Sequence, residues 1–250
     1  MNTNLANKTV VVSGAAGGVG RSIVAKMLAE GAKVLATDIS DNVAELEKQS
    51  DAVVAIVGDV TKSSDVEAIF AKAENAFGPV DVLVSNAGFI ISKPAHETSE
   101  DEWDQVMNAN AKSLFLMAKR ALPAMMKKGG GAIVATGSIS SVVGLPDQAA
   151  YCAAKGALLQ LVRQMAVDYA AYNIRVNAVG AGSIDTPFLR RYLDALADPV
   201  AGEAAVKAAH PLGRWAQPDE IADAIVYLAS SSASFVTGHI LMADGGYSAR

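Results

Sequence analysis

The chain has 250 residues, 51% of them hydrophobic and 19% charged, with 21 Lys and Arg against 26 Asp and Glu for a formal charge of −5. That length supports one hydrophobic core, and the absence of a basic excess argues against nucleic acid as a partner. Cys152 is the single cysteine, and His96, His210 and His239 lie far from one another, so neither a disulfide framework nor a zinc site is expected.

No apolar run is long enough to span a bilayer, and residues 1–8 lack the pattern of an export signal; a cytoplasmic protein without membrane partners is expected. One continuous domain over 1–250 is expected, because no linker, repeat or low-complexity tract interrupts the chain.

In chain order, Val- and Ile-rich runs at 9–12, 33–37, 52–57, 80–85, 132–136, 174–179 and 239–242 read as strands buried on both faces. Between them, stretches at 18–30, 41–48, 63–77, 99–127, 148–172 and 219–229 carry helical spacing. Ser63 and Ser99 are candidate N-caps, Ser99 with Glu102 as a capping box, while Gly78-Pro79 stops one helix and Pro123 is expected to bend or shorten another. The alternation predicts an α/β fold: a Rossmann-like, doubly wound, mainly seven-stranded parallel sheet with helices on both faces. Residues 182–215 form a long excursion before the last helix, and a substrate lid is expected at about 183–215.

The first strand runs into Gly14-x-x-x-Gly18-x-Gly20 and then a helix. Glycines allow the backbone to approach an anion, and the helix N-terminus presents unpaired N–H groups, so Gly14, Gly18, Val19 and Gly20 are candidate dinucleotide contacts. Asp38 ends the second strand, where a carboxylate can accept hydrogen bonds from the adenosine ribose and repel a 2′-phosphate. Neither Ala15, Ala16 nor Ile39 supplies a compensating cation, so NAD is expected over NADP.

Tyr151 and Lys155 stand four residues apart on one helix face, with the ammonium near the phenol. A free phenol titrates near ~10, and Lys155 together with the positive ring of NAD⁺ is expected to lower it, making Tyr151 a general base. Ser138 follows a strand at the sheet edge where ligands bind, and its hydroxyl can hold a substrate oxygen.

Gly14, Gly18 and Gly20, Asn86-Ala87-Gly88, Ser138 and Tyr151-x-x-x-Lys155, in this order, resemble the short-chain dehydrogenase/reductase superfamily along nearly the whole chain. The resemblance implies Tyr151 as acid/base, Ser138 as the group orienting the substrate oxygen, Lys155 on the nicotinamide ribose, and Asn110 completing a tetrad by holding a water at a helix kink; Asn108 is the rival for that place. It further implies cofactor contacts at Asp59, Val60, Asn86, Ala87 and Gly88, and near the carboxamide at Gly182, Ile184 and Thr186. Ser13 stands where the family more often has Thr, and Ala181 where it usually has Pro. The segments 236–240 and 244–246 also match, which implies a homo-oligomer, a tetramer or a dimer.

The expected activity is NAD-dependent interconversion of a secondary alcohol and a ketone, on a small molecule such as a polyol, sugar, cyclic alcohol or hydroxy acid. Phe89, Val142 and Gln148 join Ser138 and Tyr151 as candidate substrate contacts, with Arg190, Arg191 and Tyr192 in the lid. The alternatives are an NADPH-dependent 3-oxoacyl thioester reductase, which Asp38 opposes, and a non-catalytic NAD-binding sensor or scaffold. Cys152 and His210 are read as packing or surface residues.

Overall fold

The structure is a computed structural model that describes residues 3–194 and 198–249. Seven strands, β1 (Thr9–Ser13), β2 (Lys33–Asp38), β3 (Val53–Val57), β4 (Val82–Ser85), β5 (Gly131–Ser138), β6 (Ile174–Ala181) and β7 (Ile240–Ala243), form one sheet in the order β3-β2-β1-β4-β5-β6-β7. Every pairing is parallel.

Along each inner strand, successive side chains enter opposite layers. Val10 and Val12 of β1 and Val82 and Val84 of β4 pack in one layer, with Ile23 and Met27 of α1 (Gly18–Ala29) and Ile221 and Ile225 of α8 (Pro218–Ala229). Val11 and Leu83 pack in the other, with Phe70 of α2 (Ser63–Phe77), Met117 of α4 (Ser113–Lys128) and Leu158 of α5 (Ala149–Tyr169). Both faces are therefore apolar, which is why the strands read as continuous Val/Ile runs.

The sequence and the structure differ locally. Ser63 is the first residue of α2, not its cap; Lys62 occupies that position and no side chain caps the helix. The stretch 41–49 winds as a 3₁₀ helix, whose three residues per turn put Val43 and Leu46 together in the core. The predicted helix 99–127 is α3 (Glu100–Met107) and α4 joined by a π-turn at Asn108–Lys112. The expected capping box of Ser99 and Glu102 is present, whereas Pro123 neither ends nor shortens α4, which continues to Lys128 and stops at left-handed Gly129. The 182–215 excursion holds two helices, α6 (Pro187–Asp194) and α7 (Pro199–Ala208).

The strand order reverses between β1 and β4, opening a crevice at the carboxyl ends of the strands where open α/β sheets bind ligands.

Candidate active site

The crevice is closed beneath by Asn86. Its Nδ2 donates to the carbonyls of Ser13 (3.2 Å) and Gly14 (3.1 Å), and its Oδ1 accepts from the Thr136 hydroxyl at 3.0 Å. Ser13 answers from β1: its Oγ accepts from the Asn86 and Ala87 amides at 3.0 and 3.1 Å. The side chain that stands in place of the family's Thr thus supports the turn.

On this base sits the glycine loop. A Cβ on Gly20 would lie 2.0 Å from the Gly14 carbonyl oxygen, so only glycine permits α1 to begin this close to β1. Gly14 adopts φ +63° and presses against the Ala87 backbone, where a Cβ would come within 2.9 Å. Gly17 caps α1 without any side-chain hydrogen bond, and the first turn carries no acidic residue, so the positive end of the helix faces the crevice. Across the loop, Thr186 packs its methyl against Gly18, where a Cβ would stand 3.1 Å away. Ile184 forms an isolated bridge with Ala216, which fastens the start of the lid excursion to its end.

Asp38 reaches this loop. One carboxylate oxygen accepts the Ala16 amide at 3.0 Å and the other accepts the Ser40 amide at 3.0 Å. Asp59 lies at the end of β3, where burial opposes its ionisation but hydrogen bonds from Thr61 and Lys62 outweigh that and hold its carboxyl below the usual range. Val60 is only 6% exposed and packs in the α2 layer, so only its backbone is left to meet a ligand.

The tetrad residues converge beside Gly88. Lys155 is 3% exposed, donates to the Thr136 carbonyl at 2.8 Å and stands 5.5 Å from the centroid of the Tyr151 ring. The Ser138 side chain acts on the Tyr151 phenol in the sense that favours its ionisation, and the Ser138 Oγ accepts the Ser140 amide at 3.1 Å. Asn110 lies in the π-turn, where its Nδ2 donates to Phe89 (2.6 Å) and Val106 (2.8 Å) carbonyls. Its Oδ1 is buried without a partner and would meet a Cβ on Gly88 at 2.9 Å, with the Lys155 Nζ 3.6 Å from that same point. Asn110 rather than Asn108 is therefore the asparagine turned toward the lysine.

Burial works against the expected lowering of the phenol. The Tyr151 phenol is pushed up to about 12, mainly by desolvation, with the Ser138 hydroxyl opposing and the adjacent Cys152 adding to the rise. Desolvation likewise pushes the Lys155 ammonium down to about 8. The pairing of Tyr151 and Lys155 alone does not make the phenol acidic; a further positive charge is needed beside it.

Of the candidate substrate contacts, Phe89 and Val142 are half exposed, and the Gln148 Oε1 accepts from the Ser140 hydroxyl at 3.1 Å. Arg190 is engaged by Asp185 at 2.7 Å and lies over the Trp215 ring. The Arg191 and Tyr192 side chains lie outside the described part of the structure.

One contributor was missed in the sequence. Thr136 joins Asn86 to Lys155, yet a threonine within a strand carries no signal of its own. His210, expected at the surface or in packing, is 3% exposed with both ring nitrogens engaged. Among the described residues there is no cluster that could hold a metal ion, and no helix is long and apolar enough to cross a membrane.

These residues fit a dinucleotide: a cradle that a Cβ would fill, an uncapped helix start, and an orphaned buried oxygen on Asn110. Comparison with known proteins agrees. A family model described as enoyl-(acyl carrier protein) reductase matches residues 14–248. The cis-4-hydroxycyclohexanecarboxylate dehydrogenase of Sinomonas cyclohexanicum is 41% identical over 255 residues, covering 100% of both chains. The chain belongs to the short-chain dehydrogenase/reductase superfamily. Another superfamily relative, 2-(S)-hydroxypropyl-CoM dehydrogenase 3 of Xanthobacter autotrophicus, is 37% identical over the whole of both chains. Among solved structures, levodione reductase superposes with a TM-score of 0.93 at 30% identity, covering 98% of each chain. As a member of the short-chain dehydrogenase/reductase superfamily, the chain is an oxidoreductase.

Proposed function

We propose that this chain interconverts a secondary alcohol and a ketone with NAD as hydride carrier, through Tyr151, Ser138, Lys155 and Asn110. The observation that carries the reading is the buried Lys155, held by the Thr136 carbonyl at 2.8 Å and 5.5 Å from the centroid of the Tyr151 ring, at the carboxyl end of the strand that carries Ser138. Relatives named as dehydrogenases of hydroxy compounds, including cis-4-hydroxycyclohexanecarboxylate and glycerol, support a CH–OH substrate.

Bound NAD⁺ supplies a hydride acceptor and a positive charge. The Ser138 hydroxyl orients the substrate oxygen, and Tyr151 removes the hydroxyl proton. Desolvation raises the Tyr151 phenol, and a cation placed beside it offsets that rise. Lys155 and a water at the free Oδ1 of Asn110 carry the proton toward solvent.

Asp38 supports NAD over NADP, since a 2′-phosphate would bring its charge against a carboxylate already committed to the Ala16 and Ser40 amides. A relative in Listeria innocua, 34% identical, is named NAD-dependent glycerol dehydrogenase. The second reading is an NADPH-dependent 3-oxoacyl thioester reductase; the family model's description, an enoyl-(acyl carrier protein) reductase, shares with it only the acyl thioester as substrate class. Titration of NADH and NADPH against the fluorescence of Trp215, buried in the lid excursion, separates the two. Tighter NADH binding, followed by NADH formation from NAD⁺ in a screen of polyols, sugars, cyclic alcohols and hydroxy acids, supports the first. Tighter NADPH binding overturns the NAD assignment, and NADH binding without turnover on any substrate favours the sensor. The homo-oligomer, tetramer or dimer, belongs to the same reading and is measured by sedimentation.

A further inference from the structure

His210 follows α7 at the end of the lid excursion and is buried to 3% exposure. Its Nδ1 lies 2.8 Å from the Val206 carbonyl in α7, which can only accept, and its Nε2 lies 3.1 Å from the Ser183 amide, which can only donate. These partners fix one tautomer, with the proton on Nδ1 and the lone pair on Nε2. The ring rests on the Gly182 backbone, where a Cβ would stand 2.8 Å from Nε2, and tilts against Tyr247 with centroids 5.4 Å apart. Its backbone is held as well: the Gly213 amide donates to the His210 carbonyl at 2.7 Å, and the Leu212 amide donates to Gly245 at 3.1 Å. One imidazole thus bridges a lid helix, the C-terminal segment and the loop leaving β6.

We infer that His210 is a positioning residue that couples α7 of the lid to segment 182–186, so that the lid sets the backbone facing the nicotinamide end of the cofactor. The inference rests on the proposed function for the identity of that ligand, while the coupling itself is a property of the chain. Segment 182–186 runs from the imidazole to Thr186, which packs on Gly18 of the dinucleotide loop, so a shift at Ser183 is passed to the cleft. No other side chain among those described is hydrogen-bonded to the Ser183 amide.

Two variants separate the acceptor from the ring. His210→Phe keeps an aromatic ring against Tyr247 and removes the acceptor; His210→Gln removes the ring and offers a carbonyl oxygen near the place of Nε2. In cofactor-free protein, amide hydrogen exchange at Ser183 is expected to quicken in the Phe variant and stay near wild type in the Gln variant, while α7, which loses the Nδ1 donor to Val206 in both, quickens in both. NADH affinity is expected to fall roughly five- to tenfold in the Phe variant, the scale of one lost buried hydrogen bond, and to recover in the Gln variant. ADP-ribose, which lacks the nicotinamide, is expected to bind all three proteins alike.

Unchanged exchange at Ser183 in the Phe variant overturns the coupling. Equal losses for NADH and ADP-ribose overturn the positioning role in favour of general support of the fold. Should wild-type protein bind NADH no more tightly than ADP-ribose, it is the dinucleotide reading that fails, and the exchange result still decides the coupling.

Discussion

Lys155 donates a hydrogen bond from its ammonium to the Thr136 carbonyl at 2.8 Å while standing 5.5 Å from the centre of the Tyr151 ring. The lysine is thereby anchored to the strand that carries Ser138, so the distance between ammonium and phenol is set by the junction of β5 and α5.

This buried lysine leaves a mark on stability. Its folded value, about 8, lies below the ordinary lysine value of 10.5, so between these limits the unfolded chain binds more protons than the native one. Stability is expected to rise with pH from about 8 toward 10, by up to about 1.4 kcal/mol per pH unit from this group. Tyr151, pushed up to about 12 from 10, acts in the opposite sense only above that window. Urea unfolding across the window checks it: Lys155→Met should flatten the rise, and an unchanged slope would mean that Lys155 is not its source.

Tyr151→Phe is expected to lower kcat by at least about 10²-fold, since the proton on the substrate oxygen loses its acceptor. NADH affinity should stay at the wild-type level, because the phenol oxygen is the only atom removed. Ser138→Ala should cost less, as the tyrosine remains. Steady-state kinetics beside fluorescence titration tests both, and a Phe variant with wild-type turnover would remove Tyr151 from the mechanism.

Asp38→Asn keeps one oxygen for a backbone amide and removes the charge. The ratio of NADPH to NADH affinity is expected to increase at least about tenfold, the scale of a hydrogen bond to a charged group together with relieved repulsion. An unchanged ratio would place the cofactor preference elsewhere.

Two glycines should respond in opposite directions. A Cβ at Gly20 would sit 2.0 Å from the Gly14 carbonyl, so Gly20→Ala is expected to cost about 3 kcal/mol or more, together with dinucleotide binding. At Gly156, within α5, a Cβ would meet nothing within 4 Å, and Gly156→Ala should stabilise by about 0.5–1 kcal/mol. Thermal unfolding of the two variants distinguishes a steric requirement from mere glycine flexibility.

Most of the fold was legible because its strands are buried on both faces and each advertises this as an apolar run. The edges were less so: β4 begins at Val82, since Asp81 before it turns to the Thr9 amide and to Lys8 and Lys128. Apolar spacing alone read 99–127 as one helix, whereas the π-turn at Asn108–Lys112 falls where the resemblance implied a kink at Asn110. Helices α6 and α7 had signals that went unread, Pro187 and Pro199 at their starts and Asp198 capping the Ala201 amide. At the candidate site, residue types and order were readable, but Thr136 and His210 act through backbone carbonyls and amides that only the fold brings near them.

Asn86 also bears on the order in which the polypeptide is made. Its three bonds join residues 13, 14 and 136, so the cleft floor is complete only when segments more than 120 positions apart have met. A nascent chain that has released β1 and β2 from the ribosome carries the glycine loop with no opposite wall, and its exposed β1 edge must wait for β4. That interval, in which an apolar strand edge lies open to other chains, is when a chaperone would have most to protect.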